Sequence, residues 1–134
     1  MSDAAVLLVE DNRFDEILTL RLLGKSNYQN VVVARDGAEA FDYLLGTGRF
    51  EGRDSSALPK FVLLDLKMPK IDGIALLKMM RSQERLKNVP VIVITSSIED
   101  SDLKLCSDLN VLAYLNKPLT REDLEKTLRE HGIA

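Results

Sequence analysis

Polar residues stand where several apolar runs stop. Glu10 and Asp11 follow "AVLLV" (5–9), Asp65 ends "FVLLD" (61–65), Thr95 ends "VIVIT" (91–95), and Lys117 comes two residues after "VLAYL" (111–115). That makes three carboxylates, a hydroxyl and an ammonium. If they share one pocket, each pair of acids about 4 Å apart repels by roughly 4 kcal/mol at an effective dielectric of about 20. One lysine does not offset three acids. Either some carboxylates are protonated, or a divalent cation sits among them, and an incomplete cage of oxygen ligands favours Mg²⁺. Such a site suits phosphoryl transfer. The cation and Lys117 would neutralise phosphoryl oxygens, and Thr95 would donate a hydrogen bond to another. A carboxylate not fully used by the metal would act as nucleophile and form an acyl phosphate. Asp65 is the better candidate because it stands alone at the end of its run. Glu10 and Asp11 are adjacent and better placed to hold the metal, directly or through water. Taken singly, Asp11, Asp65 and Thr95 each read equally well as a helix cap or turn residue, and Lys117 reads more readily as a solvated side chain. The functional reading rests on the joint occurrence.

The apolar runs are what must position these groups. With "VVVA" (31–34) they number five, and all but the last are nearly continuous in aliphatic residues, the pattern of strands buried on both faces of a parallel sheet. Stretches with helical spacing lie between them. Phe14, Ile17, Leu18 and Leu22 fit one face of a first helix; Ala40, Phe41, Leu44 and Leu45 fit a second; Ile74, Leu77 and Met80 fit a third. Leu103, Cys106 and Leu109 fit a fourth. Leu124 and Leu128 fit a fifth, opened by the capping pattern Thr120-x-x-Asp123. The order βαβαβαβαβα predicts a doubly wound three-layer α/β domain. Ligands in such sheets bind outside the carboxyl ends of the strands, where the polar residues fall. "GTGRFEGRDSSALPK" (46–60) reads as a long surface loop.

Composition excludes several classes. The chain has 134 residues, room for one domain, with 46% hydrophobic and 29% charged residues. A net charge of −3 and a pI near 5.2 argue against nucleic-acid binding. The single cysteine, Cys106, excludes an internal disulfide and paired-cysteine metal sites; it reads as a small core residue. No signal peptide or membrane span is expected, which points to a cytoplasmic protein. His131, the only histidine, lies near the C-terminus and reads as a helix-end cation.

"LLVEDN", "LLDLKMPKIDG", "VIVITSS" and "YLNKP", in this order, resemble the signatures of response-regulator receiver domains of two-component signalling. The spacings fit as well, with 30 residues from Asp65 to Thr95 and 22 from Thr95 to Lys117. The resemblance covers residues 1–134 as one receiver domain. It implies a flavodoxin-like (βα)5 fold with strand order 2-1-3-4-5. It further implies that Asp65 accepts a phosphoryl group from a histidine kinase or phosphotransfer protein, and that Glu10, Asp11, Asp65 and the backbone carbonyl of Lys67 hold Mg²⁺ or Mn²⁺. Thr95 and Tyr114 match the switch positions, Lys117 the lysine of the pattern, and its bond to Pro118 is usually cis in the family. Phosphorylation adds negative charge and acceptor oxygens. Thr95 and Lys117 would be drawn toward them, Tyr114 would turn inward, and a partner would read the altered surface of helix 4, strand 5 and helix 5.

Lys67 and Ser97 occupy the positions that border the phosphoryl group and tune its hydrolysis; a lysine at 67 is the least family-like feature. The 46–60 segment is similar to an insertion in regulators that partner bacterial phytochromes, although a tolerated surface insertion explains it better. No residues remain after the fifth helix for a DNA-binding or enzymatic output domain, so output is expected from protein binding, homodimerisation or onward phosphotransfer rather than from a turnover enzyme. The alternative is an unphosphorylated pseudo-receiver acting as a binding module, which the complete set Glu10, Asp11, Asp65, Thr95 and Lys117 argues against. A phosphohydrolase would carry an aspartate where Lys67 stands, and a dinucleotide carrier would need a glycine-rich loop after strand 1, where the sequence reads "VEDNRFDE".

Overall fold

The computed structural model describes residues 6–53, 58–66, 73–95 and 100–133. Five strands alternate with five helices: β1 (Val6–Val9), α1 (Arg13–Lys25), β2 (Val31–Ala34), α2 (Gly37–Leu45), β3 (Phe61–Asp65), α3 (Gly73–Ser82), β4 (Val91–Thr95), α4 (Asp100–Asp108), β5 (Ala113–Asn116) and α5 (Arg121–Glu130). All strand pairings are parallel and the order is β2-β1-β3-β4-β5. This is the doubly wound, flavodoxin-like arrangement expected from the sequence.

The continuous apolar runs are explained by two cores, one on each face of the sheet. Leu7, Val9, Val62, Leu64, Val91 and Val93 pack with residues of α2, α3 and α4. Val6, Leu8, Phe61, Leu63 and Ile92 face the other way, onto Leu23 of α1 and Leu124 and Leu128 of α5. Alternate side chains point to opposite faces of a strand, so a strand covered on both sides must be apolar throughout. Cys106 is buried in the first core, as expected.

The structure departs from the expected helix faces in two places. On α1, Phe14, Ile17 and Leu18 are exposed, Phe14 by 69%, and the face turned inward carries Glu16, Thr19 and Leu23. Residues 16, 19, 20 and 23 form a second stripe at helical spacing, and the more apolar of the two stripes is not the one buried. Glu16 is tolerated there because its carboxylate is paired with the Arg35 guanidinium at the end of β2. On α4, Leu103 is exposed by 38%, whereas Leu109, one residue past the end of the helix, packs against the core. The last strand also begins later than the apolar run suggests. Val111 donates its N–H to the Cys106 carbonyl at 3.1 Å, closing the end of α4, so β5 starts at Ala113 and extends to Asn116.

Part of the 46–60 segment is more ordered than a loop. Gly46 and Gly48 take positive φ, and Gly48–Phe50 forms a 3-10 turn. The Phe50 ring meets Tyr43 edge-on at 5.1 Å, and the Arg53 guanidinium lies 4.0 Å above the Tyr43 ring while donating to the Tyr43 carbonyl at 2.8 Å. Stacking and capping together tie the turn to α2.

Gly73 is where α3 meets the tip of β3. A Cβ there would lie 2.6 Å from the Leu66 Cα and 2.7 Å from the Asp65 carbonyl oxygen, both backbone atoms that have no room to yield. Gly73→Ala is therefore expected to lower stability by about 2–4 kcal/mol, read from the urea midpoint, because relief requires moving β3 or α3. Gly24→Ala, inside α1 and with only the Gln29 side chain at 3.8 Å, should instead raise stability by about 0.5–1 kcal/mol.

Candidate functional site

The parallel register brings the strand tips to one edge of the sheet. Asp65 is the last residue of β3 and pairs in register with Ile94; Thr95, the last of β4, pairs with Asn116. Glu10 extends β1 by one residue, its N–H bonded to the Ala34 carbonyl at 2.9 Å. The Lys117 backbone N–H donates to the Thr95 carbonyl at 2.8 Å, which places the root of the lysine beside the same tips. Its bond to Pro118 is cis, in line with the expectation. Tyr114 pairs with Val93 in register, is half-buried, and packs against the core formed with α2, α3 and α4.

Carboxylate oxygens of Glu10, Asp11 and Asp65 lie within 4.8 Å of one another. Glu10 is fully buried, Asp65 nearly so, and Asp11 is exposed. The Lys117 ammonium sits among the acids, 3.0 Å from Glu10 Oε1 and 3.2 Å from Asp65 Oδ2. Thr95 is fully buried at the neighbouring tip. The structure thus brings Glu10, Asp11, Asp65, Thr95 and Lys117 to one edge. Lys67 and Ser97 lie outside the described residues.

Two residues at the site escaped the sequence reading. Asp15, in the first turn of α1, receives the shortest contact of the Lys117 ammonium, 2.8 Å to Oδ2. Asn12 caps α1, accepting from the Asp15 N–H at 3.0 Å, and donates its own N–H to Glu10 Oε2 at 3.2 Å. An acid in the first turn of a helix is explained locally by the helix dipole. Nothing local signals a partner 102 residues away. The cap was legible in principle, since Asn is a favoured N-cap residue.

Burial pushes the Glu10 carboxyl up to about 7, with Lys117 opposing the shift and Asp65 adding to it. For Lys117, burial favours the neutral amine. The bond to Asp15, the contact with Glu10 and the charge of Asp65 prevail and hold the ammonium above its usual value. The pocket therefore carries one firmly charged lysine and an excess of acid.

The acids fit a divalent cation. Glu10 Oε1 is buried and accepts no hydrogen bond, its contact with Lys117 being an ion pair rather than an aligned bond. The oxygen-only donor set with an exposed third member, Asp11, matches the preference of Mg²⁺ or Mn²⁺ for a few carboxylates plus water.

The sequence pattern of the family described as the response regulator receiver domain matches residues 6–129. The chain is 40% identical over 126 residues to the probable methanogenesis regulatory protein FilR2 of Methanothrix harundinacea, covering 93% of this chain and 79% of that protein. Among solved structures it resembles the bacteriophytochrome response regulator AtBRR, with a TM-score of 0.87 and 41% identity over 100% of this chain and 96% of that one. It also resembles the Mn²⁺-bound form of response regulator Rcp1, with a TM-score of 0.77 and 33% identity over 93% and 88% of the two chains.

The raised Glu10 value fixes the sign of a pH effect. The folded protein holds a proton that the unfolded chain has already released between the ordinary value of 4.5 and about 7. The fold is thus penalised above about pH 7, and the penalty fades as pH falls toward 4.5. Metal-free Glu10→Gln should exceed wild type in urea midpoint at about pH 8, with the difference shrinking at about pH 5. Mg²⁺ binding should run the other way. Its affinity, followed by calorimetry, should weaken by up to about tenfold per pH unit below 7, as protons compete for Glu10.

Proposed function

The chain belongs to the response regulator receiver family, whose members accept phosphoryl groups in two-component signalling, and from that premise we propose that Asp65 is its phosphoacceptor, served by Thr95 and Lys117. The observation that carries this reading is the seat of Asp65. It is a nearly buried carboxylate at the tip of the central strand, 3.2 Å from a lysine ammonium and within reach of two further acids.

Glu10, Asp11 and Asp65 would hold Mg²⁺ or Mn²⁺, with the Lys67 carbonyl as a further ligand. The bound cation supplies charge neutralisation of the phosphoryl oxygens. The likeness to Rcp1, solved with Mn²⁺, supports this set. One Asp65 oxygen attacks the phosphorus of the donor, the bond from phosphorus to the leaving group breaks, and the leaving group departs with the electron pair. Lys117 brings a fixed positive charge to the phosphoryl oxygens without proton transfer. Thr95, one strand away, offers a hydroxyl donor.

The readout follows from the added charge. Thr95 and Lys117 shift toward the phosphoryl group, Tyr114 on the strand that leads to Lys117 turns inward, and a protein partner senses α4, β5 and α5. Lys67 and Ser97 tune the lifetime of the acyl phosphate. The donor is a histidine kinase or phosphotransfer protein, and the likeness to AtBRR supports one of the bacteriophytochrome kind. Such a donor approaches past the exposed Phe14, Ile17 and Leu18 at the start of α1, which suits a protein rather than a small metabolite. Residues 1–134 act as a single receiver domain and not as a turnover enzyme. Among the described residues, no helix is long and apolar enough to cross a membrane.

Incubation with acetyl phosphate and Mg²⁺ tests the assignment. Intact mass should show one added phosphoryl group on wild type, lost on adding a chelator before the donor and absent from Asp65→Asn. No gain on wild type, or an undiminished gain on Asp65→Asn, contradicts it.

A further inference from the structure

Lys117 has more acid partners than phosphoryl transfer needs. Its ammonium donates to Asp15 at 2.8 Å and to Asp65 at 3.2 Å, and lies 3.0 Å from Glu10. Glu10 and Asp65 belong to the acid cluster, but Asp15 does not. It comes from α1, where the Asn12 cap fixes its backbone, and it takes the shortest of the three contacts. It is also the most exposed partner. The Asp15 side chain is 31% accessible, against 6% for Asp65 and 0% for Glu10. Together with Lys117, Leu18, Thr19, Ile94, Pro118 and Leu119, it lines a cavity of about 230 Å³ beside the lysine.

Resting on the assignment of Asp65 as phosphoacceptor, we infer that Asp15 is a positioning residue that competes with the phosphoryl group for Lys117. In the resting protein, Asp15 shares the ammonium with Glu10 and Asp65 and takes its shortest contact. When a phosphoryl donor arrives, Lys117 must turn to its oxygens, and the bond to Asp15 is the one given up. That exchange is the least costly of the three, because the Asp15 carboxylate reaches water where it stands, whereas releasing Glu10 or Asp65 strands a buried charge. The cavity next to the ammonium leaves room for the side chain to swing. Asp15 thereby restrains the unphosphorylated protein: it slows acceptance of the phosphoryl group by holding back the cation that acceptance requires.

Asp15→Asn keeps the size of the side chain and removes its charge, and Asp15→Ser removes both reach and charge. With acetyl phosphate and Mg²⁺, the Asp65 oxygen attacks phosphorus and acetate leaves, and the rate is followed by intact mass. Both variants should accept the group roughly three- to tenfold faster than wild type, the size of effect expected from weakening one charge-assisted hydrogen bond. The gain must depend on Lys117. In a Lys117→Gln background, adding Asp15→Asn should change the slower rate by less than about twofold. Equal rates for wild type and Asp15→Asn, or the same acceleration with and without Lys117, would overturn the inference while leaving Asp65 as acceptor intact. A wild type that takes up no phosphoryl group removes the assignment itself, and this inference with it.

Discussion

The site depends on an imbalance of charge that the fold enforces. Three carboxylates share the edge of the sheet with one lysine, and a fourth, from α1, shares that lysine. None of these groups is free to leave. Glu10 and Asp65 are fixed by strand register, and the root of Lys117 is fixed by its bond to the Thr95 carbonyl. Like charges so placed repel, and the low accessibility of Glu10 prevents water from relieving it. Positive charge relieves the pocket, whether as a proton on Glu10 or as a divalent cation. On the proposed reading, a phosphoryl group on Asp65 would change that balance again, and this would give a chemical event at one residue a hold on the surrounding strands.

The sheet exists to hold those tips still. Its strands are apolar on both faces because helices cover both, so polarity appears only where the strands end. Gly73 shows how closely the next layer fits. The first turn of α3 presses on the Asp65 carbonyl and leaves no space for a methyl group.

Much of this was legible in the sequence. Strand buried on two faces and helix buried on one leave different periodicities, so the order of elements and the strand-end acids could be read directly. What remained hidden was tertiary. On α1, two stripes at helical spacing compete, and the sequence favours Phe14, Ile17 and Leu18, because apolar content is visible and a distant partner is not. The buried stripe includes Glu16, acceptable only because Arg35 lies across from it. Asp15 was missed for the same reason, since its partner is at the far end of the chain. Val111 looked like strand until its N–H was seen closing α4. Two of these misses are local patterns overruled by ion pairs between residues distant in sequence, and the third is a helix end closed by a backbone bond five residues back.

The central claim is that the excess of acid at the strand tips is a cation site. Mn²⁺ soaked into crystals at near-neutral pH and located by its anomalous scattering tests this most directly. One peak within direct or single-water reach of Glu10, Asp11 and Asp65 is the predicted result. A saturating soak that leaves this edge empty, or places the ion against other residues, would contradict it.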